Sequence, residues 1–284
     1  MKASGWASGK LVLCGEHAVV HGQPALAFAV DRGTTATVEH VDGPTTVTAH
    51  DPSPKVVGAV RQVFGPSGAH VVLTTDLPIG RGMGSSASLA VALVRARRAL
   101  GGPPRGSEYE EAFAVERLFH GQPSGVDVAV ACHGGVVRFQ RTPEPVITPL
   151  PCPRWRAVVV DTGKVGVTAT LVAEVTARRP TIDADLEAIG RLVEDARAVL
   201  HDPRALGPLL TENHRLLRRI GVSTGELDGI VGWCLAAGAL GAKLSGAGGG
   251  GVVLALVDDP EPVLAEARRR GYDAWPTSPA EANR

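Results

Sequence analysis

Residues 78–88 read Pro78-Ile79-Gly80-Arg81-Gly82-Met83-Gly84-Ser85-Ser86-Ala87-Ser88. Three alternating glycines let the backbone curl so that successive N–H groups point inward, and the serines that follow are good helix starters. Downstream, Ser85 to Leu100 carries an Ala/Leu/Val face and ends with Arg95, Arg97 and Arg98, where cations suit the helix dipole. A glycine turn running into a helix N-terminus makes an anion site from backbone donors and the partial positive charge of the helix. The stretch is neither of the familiar phosphate motifs. No lysine follows Gly84, which excludes the GxxxxGK[ST] loop, and the glycine spacing is not GxGxxG. Read alone, the stretch also fits a capped helix behind a glycine turn.

Outward from this stretch, the glycines of the chain are concentrated. There are 35 in 284 residues, above the usual ~7%, and they gather at 80–84, at 121–135 and at 246–251, each against a strand-like or helix-like segment. That is the pattern of backbone brought close to a ligand, and it does not describe a linker. Composition narrows the class further. Apolar residues are 44% and charged residues 20%, which is ordinary globular usage. Lys+Arg and Asp+Glu are equal at 29 each, and aromatics are 4%, which argues against nucleic-acid binding by charge or by base stacking. No run of 18 uninterrupted apolar residues occurs, and Cys14, Cys132, Cys152 and Cys234 form no CxxC pair. The expectation is a cytoplasmic protein with reduced thiols and no membrane partner.

The remaining periodicity places the elements. Strands are expected at Lys10–Gly15, Ala25–Val30 and Thr34–His40, the last two joined by a turn at Asp31-Arg32-Gly33, and at Thr45–His50 and His70–Thr75. Helices are expected over 55–64, from Ser107 with Glu110 completing a capping box, and over 169–178, 184–200, 204–220, 224–237 and 260–270. Further strands are expected at 136–140, 157–160, 243–245 and 252–257. A proline-dense segment over 142–154 divides the chain into two halves, residues 1–150 and 151–284, of an α+β protein. Residue by residue, bland readings stand beside the functional ones. Glu116 reads as a surface carboxylate at a helix end, Asp127 as a turn residue, Lys10 as a solvated strand start and His17 as a core histidine. His120, His133 and His214 lack metal-like spacing and read as structural.

Three segments together carry a resemblance. Gly9-Lys10-Leu11-Val12-Leu13-Cys14-Gly15-Glu16-His17-Ala18-Val19-Val20-His21-Gly22, then Pro78 to Ser88, then Lys243-Leu244-Ser245-Gly246-Ala247-Gly248-Gly249-Gly250-Gly251 resemble, in this order, the three motifs of the GHMP small-molecule kinases. Glu116-Arg117-Leu118-Phe119-His120-Gly121-Gln122-Pro123-Ser124-Gly125-Val126-Asp127 is similar to the mevalonate-kinase branch, as is Asn213-His214-Arg215 with Asp228. The resemblance implies the two-domain GHMP fold, an active-site cleft between the halves, an N-terminal ATP-binding domain and phosphorylation of mevalonate at its terminal hydroxyl. It implies that Gly80, Arg81, Gly82, Met83, Gly84, Ser85 and Ser86, with Gly246 and Gly248, hold ATP. Ser86 and Glu116 would hold Mg²⁺, Asp127 and Lys10 would be catalytic, and Glu16, His17, Asp127, Lys164 and Gly249 would face the substrate. The chain departs from the pattern at Met83, where leucine is usual, and in a short interval between the first two motifs, so the adenine pocket is not placed. A phosphomevalonate or other hydroxy-acid kinase and a non-catalytic sensor stay open as alternatives, as do monomer and homodimer.

Overall fold

The computed structural model describes residues 1–50, 52–166 and 168–281. The chain builds two sheets with helices packed on them. The first sheet is formed by β1 (Lys2–Cys14), β2 (Pro24–Pro44), β3 (Thr46–Thr48), β4 (Ser67–Thr75), β5 (Val136–Gln140) and β6 (Val146–Leu150). Its path runs β3-β4-β2-β5-β6, with β1 on the other edge of β2. The second sheet, in the order β10-β7-β9-β8, uses β7 (Arg156–Asp161), β8 (Gly241–Ser245), β9 (Val252–Val257) and β10 (Asp273–Thr277), all antiparallel. Helices α1 (Pro54–Phe64), α2 (Ser85–Ala99), α3 (Glu108–His120) and α4 (Val126–His133) belong with the first sheet. Helices α5 (Thr168–Ala177), α6 (Asp183–Ala198), α7 (Pro203–Arg219), α8 (Gly225–Ala236) and α9 (Glu261–Arg270) follow the proline-rich crossing.

The expected turn at 31–33 does not form. β2 runs through it as one 21-residue strand, pairing first with β5 over 24–28 and then with β4 from Thr34, while β1 follows its other edge. Gly33 is there for closeness: a Cβ would meet Ala7 O at 2.2 Å and the Trp6 ring at 2.8 Å. β6 lies inside the segment read as a plain crossing, because Val146 and Ile147 pair with Gln140 and Phe139 despite the surrounding prolines. Helix α4 was not expected at all. It is short, and Val126-Asp127-Val128-Ala129-Val130 reads as an apolar run without helical period.

The 150/151 division separates the two sheets, but the core does not respect it. Leu11, Leu13 and Phe28 from the first sheet pack in one buried cluster with Trp155, Val159 and Leu254. Phe28 and Trp155 meet edge to face at 5.1 Å, and Trp155 Nε1 donates to Leu200 O at 3.1 Å. The end of the chain also returns to the first half: Ala280 N donates to Ala29 O at 2.8 Å and its carbonyl accepts from Gly135 N at 2.7 Å. These seams hold β1 and the β8–β9 turn in one frame. Among the described residues, no helix is long and apolar enough to cross a membrane.

Candidate active site

The glycine loop 80–84 sits between β4 and α2. Gly84, at φ 70°, is the N-cap of α2. A side chain there would be strained, and its Cβ would press on Lys10 Cγ at 3.1 Å and Asp127 Oδ2 at 3.4 Å. So the loop, the start of α2 and two charged side chains converge at one point. Lys10 reaches it from β1, its backbone N bonded to Met83 O at 2.9 Å. Asp127 reaches it from the first turn of α4, where the helix dipole favours a carboxylate. Lys10 Nζ lies 3.3 Å from Asp127 Oδ1 and donates to Gly82 O at 2.8 Å. The lysine is 5% exposed and the aspartate 32%, so one face of the pair stays open.

Beside it, Ser86 in the first turn of α2 donates to Glu116 Oε1 at 2.9 Å. His120 Nε2 is 3.1 Å from the same Ser86 Oγ and 3.5 Å from Glu116 Oε1. Glu116 and His120 are four residues apart on α3 and therefore share a face. Glu116 Oε2 is buried with no partner. Burial, then the charge of Asp127, pushes the Glu116 carboxyl up to about 8. Burial likewise holds the His120 imidazole below its ordinary range.

The other predicted residues are placed differently. Met83 is not at the ligand face: its side chain is 1% exposed, within the shared core with Leu77, so only its backbone lines the loop. Ser85 opens α2 and stays half-buried. Arg81 turns away from the loop to pair with Asp161 at 3.2 Å, which ties the loop to the end of β7. Gly246 packs backbone to backbone on Gly82, a Cβ meeting Gly82 Cα at 3.4 Å. Gly248, at φ 85°, is forced by space as well as conformation, since its Cβ would stand 2.1 Å from Val222 O. Gly249 follows, its N–H on that same carbonyl at 2.9 Å.

Glu16, expected at the substrate, is engaged by the protein itself. Its carboxylate accepts from Lys243 Nζ and from Asn213 Nδ2, the latter at 2.9 Å, and Lys243 also donates to Val12 O at 3.1 Å. The pair is sealed, at 0% and 2% exposure. Charged groups this deep must be matched by partners, and each oxygen of this carboxylate accepts a bond from the protein. His17, at φ 60°, donates from Nε2 to Ala247 O at 2.8 Å. Its Nδ1 is buried without a partner, and burial keeps the ring below its ordinary pKa and hence neutral. Lys164 is 65% exposed and paired with Glu226 at 2.7 Å. Its backbone O accepts from Gly251 N at 2.9 Å, and Gly166 N reaches Gly80 O at 3.3 Å, so this loop spans both glycine loops. Sequence reasoning missed Lys243, Asn213 and His120 as functional. For His120 the signal was present in its spacing from Glu116. The other two stand in the resembling segments, but their pairing with Glu16 has no local signal, because it spans about two hundred residues of chain.

The family model of the GHMP kinases N terminal domain matches residues 54–135, and that of GHMP kinases C terminal matches residues 186–273. The chain is 34% identical to the mevalonate kinase of Thermococcus sibiricus, over 94% of this chain and 92% of that one. It is 32% identical to the mevalonate kinase of Methanothermobacter thermautotrophicus, over 91% and 93%. The crystal structure of L. major mevalonate kinase in complex with R-mevalonate superposes with a TM-score of 0.85 at 27% identity, covering 100% of this chain and 97% of that one. The S. pneumoniae phosphomevalonate kinase shares the fold, with a TM-score of 0.82 at 18% identity, covering 97% of this chain and 98% of that one.

Proposed function

The chain belongs to the GHMP kinases, and from that footing we propose that it phosphorylates the terminal hydroxyl of mevalonate with ATP, giving 5-phosphomevalonate for isoprenoid precursor synthesis. It is an ATP-dependent small-molecule kinase. The observation that carries the reading is the Lys10–Asp127 contact, 3.3 Å, set against a glycine loop at the N-terminus of α2. An alcohol does not ionise at neutral pH, so transfer needs a positioned base, held phosphates and compensated charge. Asp127 is the base and takes the hydroxyl proton. Lys10 stabilises the developing alkoxide from the closed side of the pair. The N–H groups of 80–86 hold the triphosphate, and the 246–249 turn braces that loop from the second half.

Ser86 and Glu116 are the residues that would hold Mg²⁺. The fit is chemical: both offer hard oxygen donors, and the partnerless, buried Oε2 of Glu116 is an acceptor in want of a cation. When bound, the ion supplies neutralisation of phosphate charge. On the acceptor side, His17 Nδ1 is a buried, partnerless lone pair on a neutral ring, which suits a hydroxyl of the acceptor. Lys164 would meet the acceptor carboxylate on leaving Glu226, with Gly249 in the same wall. The relatives support mevalonate as the acceptor. A phosphorylated acceptor calls for further free cations, and Arg81 is committed to Asp161. We place the enzyme in the cytoplasm, in line with four unpaired cysteines.

An ADP-release assay over mevalonate, phosphomevalonate, homoserine and galactose tests the proposal. Turnover with mevalonate is expected. Turnover with another alcohol and none with mevalonate would overturn the acceptor, and calorimetric binding without any turnover would return the chain to a sensor.

A further inference from the structure

We infer that His120 is a positioning residue for the Ser86–Glu116 cation pair, holding the Ser86 hydroxyl so that one of its lone pairs stays open to the ion. The inference rests on the reading of Ser86 and Glu116 as that pair. A serine hydroxyl has one proton and two lone pairs. Its proton goes to Glu116 Oε1, 2.9 Å away, which leaves the oxygen free to rotate unless something occupies a lone pair. His120 Nε2, 3.1 Å from the same oxygen, is the group placed to do so. Since Ser86 already donates to the carboxylate, the matching tautomer is Nε2–H donating to Ser86.

The histidine is itself held. It ends α3, one turn after Glu116, and the N–H of Gly121 caps that turn on Arg117 O at 2.9 Å. Lys55 Nζ, from the first turn of α1, donates to Phe119 O at 2.8 Å, fixing the carbonyl just before His120. The side chain is 46% exposed, so the contact does not follow from burial alone. A group that orients the ligands of an ion commonly changes its affinity by about 10–100-fold when removed.

The test measures free Mn²⁺ by electron paramagnetic resonance during titration with ADP and the intact enzyme, using wild type, His120→Ala, His120→Gln, Ser86→Ala and Glu116→Gln. His120→Ala is expected to weaken Mn²⁺–ADP binding about tenfold and to raise the Mg²⁺ concentration for half-maximal rate by a similar factor. The KM for mevalonate should stay at its wild-type value. His120→Gln, which keeps an N–H donor, should recover binding to within about threefold of wild type. Wild-type binding in His120→Ala overturns the inference. So does a Gln variant as weak as the Ala variant, which would make the imidazole itself a ligand. If Ser86→Ala and Glu116→Gln bind the ion normally, the pair reading has failed first, and that result is distinct from failure at His120 alone.

Discussion

Two lysine–carboxylate pairs each take one partner from the first motif, Glu16 in one and Lys10 in the other, and they differ in access. Lys243 and Glu16 are sealed, at 0% and 2% exposure, and every bond of Glu16 goes to protein. Lys10 and Asp127 have the same chemistry, but Asp127 is 32% exposed and its partner is pinned by Gly82 O. The first pair fastens β1 to β8 and α7 and is closed to solvent. The second leaves a carboxylate face open, the face proposed to receive the acceptor hydroxyl. Access, more than the type of residue, separates the structural ion pair from the one proposed to react.

The sharpest way to break this contrast is at the open pair. Asp127→Asn should lower kcat by about 10²–10⁴-fold, the usual worth of a general base, while calorimetry still reads ATP binding. Full activity in that variant would remove the base. At the closed pair, the expected loss is in stability. Lys243→Met strands Glu16 in the core and should cost about 3–5 kcal/mol in urea unfolding, whereas Glu16→Gln combined with Lys243→Met should recover much of it. If the single variant unfolds like wild type, the pair is not sealed in solution. Gly248→Ala tests the turn whose Gly246 packs on Gly82 of the glycine loop, since φ 85° and a 2.1 Å approach to Val222 O admit no methyl. Lower stability and a raised KM for ATP are expected, read by thermal melting and initial rates.

The smallest effect is a pH slope. Glu116 holds its proton to about 8 in the fold, against an ordinary 4.5. Between those values the folded state binds a proton that the unfolded chain has released, so raising the pH through this window removes stability. Without Mg²⁺, the melting temperature should fall between pH 5 and 8.5, and Glu116→Gln should flatten that fall. An equal slope in both proteins would place the Glu116 carboxyl in its ordinary range.

Much of this was legible from local pattern. Helix α2 announced itself by serines at its start and arginines at its end, and the capping box at Ser107 and Glu110 is formed on both sides. The glycine loop, Lys10, Ser86, Glu116 and Asp127 were named from motif alone, and they do converge. What failed, failed where the deciding contact is distant. Gly33 looked like a turn because a glycine after Asp31-Arg32 usually is one, but the residue it serves, Ala7, lies on the neighbouring strand. Met83 keeps its backbone in the loop but turns its side chain into the core, where Leu11, Leu13 and Trp155 join it from distant parts of the chain.

The sequence by itself determined the family, the fold class and most of the local elements, because periodicity, capping and glycine spacing are properties of neighbours in the chain. Only the tertiary structure decided which of the polar residues in the motifs are sealed and which stay open. Glu16 and Asp127 are both acids in matching motifs. One meets Lys243 and Asn213 from a far part of the chain and is closed off, while the other sits at a helix start with one side open. Desolvation is set by everything packed around a group, and that is fixed when β1, β8 and α7 come together, not by the residues on either side of it.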